Sequence, residues 1–130
     1  MAFYSINQNA VLDAVADNAF HREHEIFSYD LNITNYETML AAMPQDDWPA
    51  ELAQYKDATL DLVPDDLDQI VSKYQYRDRI RYLIKTERAE RAKSFAIYQA
   101  LLSQIPEADR AQAIAQAQER AIARAAAQSQ

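Results

Sequence analysis

Counting three and then four residues onward from Leu12 visits Leu12, Val15, Ala19, Arg22, Ile26, Tyr29, Ile33, Tyr36, Leu40 and Met43. Nine of these ten positions are apolar or aromatic. That spacing keeps one stripe of a helix turned toward a partner. A rival pattern overlaps it: from Phe27 to Thr34 apolar and polar residues alternate, as in a half-buried strand. The alternation stops after eight residues, whereas the three-four spacing persists over 32. The longer pattern decides, and it predicts a helix over about residues 9–43. Phe20, Phe27 and Leu31 then fall on a second apolar face, which calls for a further packing partner.

Prolines divide the rest. Pro44 and Pro64 bound a connector, 44–64, in which Asp46 or Asp47 is placed to cap a short helix and Trp48 to pack at the bend. From Asp65, Asp66 and Asp68, acids suited to a helix N-terminus, the chain runs unbroken to Pro106. This predicts a second long helix over about 65–105, with Tyr76, Ile80, Leu83, Ile84, Phe95, Tyr98, Leu101, Leu102 and Ile105 on one face. An alanine-rich helix over about 107–127 follows, strong in propensity but offering little area to bury. The fold expected is all-α: a single domain, 1–130, built as an antiparallel, coiled-coil-like long-helix hairpin with a short connecting helix and an alanine-rich C-terminal helix. If the hairpin closes tightly around its connector, Leu40 meets Leu67, Ile33 meets Tyr76, Ile26 meets Leu83 and Leu12 meets Phe95. Arg22, the polar exception on the first seam, then lies beside Glu87, a polar exception on the second. Such a pair lowers stability but fixes register.

Composition narrows the function. There is no glycine, where average usage of about 7% would give roughly nine. Phosphate-cradling loops, dinucleotide fingerprints and nucleophile elbows need it, so those motifs are excluded. The absence of cysteine removes disulfides, thiolate nucleophiles and zinc–thiolate sites. The N-terminus lacks a basic region and carries Asp13 and Asp17, unlike a secretory signal, and no apolar run reaches membrane-spanning length. A soluble cytoplasmic protein without cofactors is expected.

The net charge of −7 is unevenly spread. Residues 1–68 hold 14 acids and 2 bases, and residues 69–130 hold 6 acids and 11 bases. Within the basic half, Lys73, Arg77, Arg81, Lys85, Arg88 and Arg91 occupy about one third of a helix circumference, with Tyr74, Tyr76 and Tyr82 interleaved. Bases with aromatics between them can follow a phosphate backbone and stack bases. The same stripe can equally neutralise the acidic first helix or hold an acidic protein, and an overall pI near 4.7 is unlike that of a nucleic-acid binder. His21 and His24 do not match a metalloprotease spacing, and no second ligand cluster accompanies them. Eight tyrosines suit protein interfaces. The sequence therefore points to a non-enzymatic structural, assembly or adaptor protein, with a virion or phage component as one setting. Its expected contacts are the stripe and the Phe20, Phe27 and Leu31 face, engaging a protein partner or further copies. The alternatives are a nucleic-acid-associated protein using the stripe, or an acidic inhibitor of a basic protein.

Overall fold

The computed structural model describes residues 8–129; residues 1–7, Tyr4 among them, and Gln130 lie outside the described residues. Three helices account for most of the chain: α1 (Gln8–Ala41), α2 (Asp68–Leu102) and α3 (Arg110–Gln128). Among the described residues there are no strands, and α1 and α2 pack against each other as a helical hairpin. The short connecting helix takes the form of single 3-10 turns at Ala53–Tyr55 and Leu60–Leu62, and another, Glu107–Asp109, leads into α3. The described residues gather into two compact units, one from Met1–Ser28 with Arg91–Gln130 and the other from Tyr29–Glu90.

The seam of α1 follows the three-four spacing. Ala19, Ile26 and Ile33 are buried, and Leu12, Val15, Arg22, Tyr29, Tyr36, Leu40 and Met43 are half-buried. The partner residues on α2 differ from those expected. In the unit Tyr29–Glu90, Asn32 Nδ2 donates to Glu87 at 3.4 Å; in the other, Ser94 Oγ donates to Glu25 at 3.0 Å. The tight-hairpin register would have set residues 32 and 25 opposite 76 and 83, so α2 meets α1 about three helical turns further along. Tyr76 and Phe95, expected in the seam, are correspondingly exposed.

The cause lies in the connector, which lies along the first three turns of α2. Leu52, Val63 and Val71 form a buried cluster, with Trp48, Tyr55, Ala58 and Leu67 packed on it. The Trp48 indole N–H donates to Asp78 at 2.8 Å, and its ring lies 5.1 Å from that of Tyr74. Asp46, expected as a helix cap, instead accepts the Tyr74 hydroxyl at 2.9 Å. Gln75 Nε2 donates to the carbonyls of Tyr55 and Ala58. Arg77 is 1% exposed; it donates to the carbonyls of Pro44 and Asp46 and pairs with Asp78 at 3.2 Å.

In the unit Met1–Ser28 with Arg91–Gln130, alanines of two helices meet around Ile105. Ala16, Ile105 and Ala117 are buried together, with Val15, Phe20 and Ala113 against them. Alanine on both helices lets α3 approach α1 closely, and arginines hold the contact. Arg120 pairs with Asp17 at 2.8 Å and with Asp13 at 3.7 Å, and Arg124 reaches Asp17 at 3.8 Å. The hydrogen bond to Asp17 raises the affinity of Arg120 for its proton.

No described residue has a positive φ, in keeping with a chain that contains no glycine. Side chains help to close the ends of two helices. Gln45 Nε2 donates to the carbonyls of Leu40 and Met43 at the end of α1. Arg110 Nε donates to those of Leu102 and Ile105 beyond the end of α2.

Removing the buried Arg77 guanidinium would take its hydrogen bonds from the Pro44 and Asp46 carbonyls and leave the Asp78 carboxylate to Trp48 and Arg81. Arg77→Ala is expected to destabilise the protein by about 3 kcal/mol, and Arg77→Lys, lacking the planar fork, to recover only part of it. Urea denaturation monitored through Trp48 fluorescence measures both.

Candidate interaction surfaces

The residues expected to contact a partner divide once their surroundings are known. Arg77 is structural: it belongs to the core beneath the connector and offers nothing to a partner. It falls between Tyr74 and Ile80, both buried, and that position on the helix was the available signal. Arg88 lies on the surface but pairs with Glu37 at 2.6 Å. Arg91 stands 5.6 Å above the Phe95 ring. Lys73, Arg81 and Lys85 are exposed, with Arg81 at 3.9 Å from Asp78. Arg79, outside the expected stripe, is exposed beside them, three residues before Tyr82.

On α1, Phe20 is half-buried whereas Phe27 is 63% and Leu31 51% exposed. Ala117 packs by Ala16, and Ala121, Ile122 and Ala125 line a groove with Phe20, His21 and His24. Thus α3 runs in the same direction as α1. It starts alongside Asn9 to Asp13, and Ala125, about one turn before its last residue Gln128, lies near His24.

Arg22 and Glu87, the expected seam pair, have other partners instead of each other. Arg22 Nη1 donates to Glu25 at 3.0 Å, and Glu87 accepts from Asn32. Glu25 is the centre of a small polar cluster missed in the sequence: it also accepts from buried Ser94 and lies 3.2 Å from His21. The Ser94 hydrogen bond, followed by the charges of Arg22 and His21, holds the Glu25 carboxyl below its ordinary value although burial opposes this. Nearby, burial and the charge of Glu23, to which its hydroxyl donates, raise Tyr98 above the usual phenol range. Among the described residues no group of three His, Asp or Glu side chains could hold a metal ion, and no helix is long and apolar enough to cross a membrane.

Two further exposed features lie in the unit Tyr29–Glu90. Leu62 is 75% exposed on its 3-10 turn, with Leu60 also exposed, amid the acids Asp57, Asp61, Asp65 and Asp66. Tyr82 is 66% exposed on α2. Compared with protein-family models, curated proteins and solved structures, the chain has no match.

A carboxylate with a depressed folded pKa stabilises the fold above its unfolded pKa, about 4.3 for glutamate, and loses that contribution as pH falls through the folded value. Stability should therefore fall below about pH 4.3 with a component due to Glu25. Glu25→Gln should flatten this acid limb, and Ser94→Ala should shift it toward higher pH. Urea midpoints measured between about pH 6 and 3 test the expectation.

Proposed function

We propose that this chain is a non-enzymatic structural or assembly protein, an adaptor whose helices make protein–protein contacts within a larger complex. The observation that carries the reading is Phe27, 63% exposed on the second face in the middle of a 34-residue helix whose seam is buried or half-buried. An aromatic ring held exposed on a long helix offers a partner a preformed anchor. Burying it would contribute about 2 kcal/mol. The cytoplasm, or a virion assembled there, is the setting this reading takes.

A second reading, association with nucleic acid, is favoured by Tyr82 standing three residues from both Arg79 and Lys85. Its mark would be single-strand binding that weakens steeply with salt and is lost in Arg81→Glu, Lys85→Glu.

For the first reading, Phe27→Glu should leave helix content and urea midpoint nearly unchanged, since Phe27 is largely outside the core. It should abolish the co-purification of a stoichiometric protein partner from the source cells. Association unaffected by the substitution would count against Phe27 as the anchor.

A further inference from the structure

The solvent side of α2 in the unit Tyr29–Glu90 carries Arg79, Arg81, Tyr82 and Lys85, all exposed. Arg79 and Lys85 enter no ion pair among the described residues, and Arg81 reaches Asp78 only at 3.9 Å. The connector of the same unit carries the complement. Asp57, Asp61 and Asp65 are exposed and likewise enter no ion pair among the described residues; they flank Leu62, the most exposed of the large apolar side chains. Arg88, by contrast, has closed on Glu37 at 2.6 Å. Arg79 and Lys85, three residues to either side of Tyr82, and the three acids near Leu62 in sequence remain open to solvent.

We propose that this face of α2 is the docking site for the connector of a second copy of the chain. Leu62 lies against the Tyr82 ring, and the connector carboxylates meet Arg79, Arg81 and Lys85. This rests on the assembly reading and goes beyond it, adding a contact between copies through surfaces other than Phe27. The charge signs select the occupant: the face is basic and apolar at its centre, the connector acidic and apolar at its centre, and every copy brings one of each. Like-charged faces brought together instead would repel, so the contact joins unlike surfaces.

The full chain and two triple variants test this by sedimentation velocity at about 100 mM salt, where contact pairs persist but long-range repulsion between acidic copies is screened. The wild-type chain is expected to sediment above its monomer mass of 14.9 kDa. Arg79→Glu, Arg81→Glu, Lys85→Glu should be monomeric, and so should Asp57→Lys, Asp61→Lys, Asp65→Lys. Mixed in equal amounts, the two should associate again, because each supplies the surface that the other lacks. Should either triple variant lose its helical circular dichroism, the single reversals Lys85→Glu and Asp61→Lys are mixed in the same way. A monomeric wild-type chain, or variants that do not restore each other, overturns the proposal. So does a wild-type chain that stays monomeric while its basic face retains a single-stranded oligonucleotide. Association that survives both reversals but is lost in Phe27→Glu overturns it as well, while leaving the assembly reading standing.

Discussion

The guanidinium of Arg77 fixes the unit Tyr29–Glu90. A buried arginine is tolerated only when its donors are directed at acceptors, and here they meet two connector carbonyls and one carboxylate. Those carbonyls, of Pro44 and Asp46, belong to the chain just after it leaves α1. Anchoring them to α2 at residue 77 settles where the connector lies, and with it how far along α2 the seam with α1 begins. Trp48, Tyr74 and Gln75 extend the same attachment on either side, and the Tyr74 hydroxyl, buried and bonded to the Asp46 carboxylate, is pushed above the ordinary phenol range.

The unit Met1–Ser28 with Arg91–Gln130 solves a different problem, how to hold a helix with little apolar area. Alanine supplies proximity and little else. Arg120 and Arg124 on α3 pair with Asp13 and Asp17 on α1, so part of the charge asymmetry along the chain is internal bonding. The exposed bases of α2 and the exposed acids of the connector are what that bonding leaves over. Any partner of this protein therefore meets a surface from which much of the opposite charge has already been paired away.

Much of the architecture could be read from the spacing of apolar residues. Every seam position from Leu12 to Met43 is buried or half-buried, and the alternation around Phe27 marks two faces of one helix, as the longer pattern indicated. The register could not be read, because it depends on a connector whose turns are 3-10 and whose contacts run through backbone carbonyls. A carbonyl has no letter in the sequence. For the same reason Arg77 looked like one more member of a solvated stripe spaced by fours. Ser94 was visible as a gap in the apolar face of α2, but its partner Glu25 lies beside the α1 seam and not on it. The different exposure of Phe20 and Phe27 could not be read either, because their seven-residue spacing puts both rings on one face and does not show how far each is covered.

The absence of positive φ among the described residues has a consequence for variation. Each described backbone conformation is open to any residue except where proline is barred by its ring or its missing N–H. No described position is reserved by its dihedral angles for glycine or asparagine. Tolerance to substitution is then governed by what each side chain touches, and a complete substitution scan of this protein would read out as a contact map, without the sharp vetoes that turn geometry imposes on most folds.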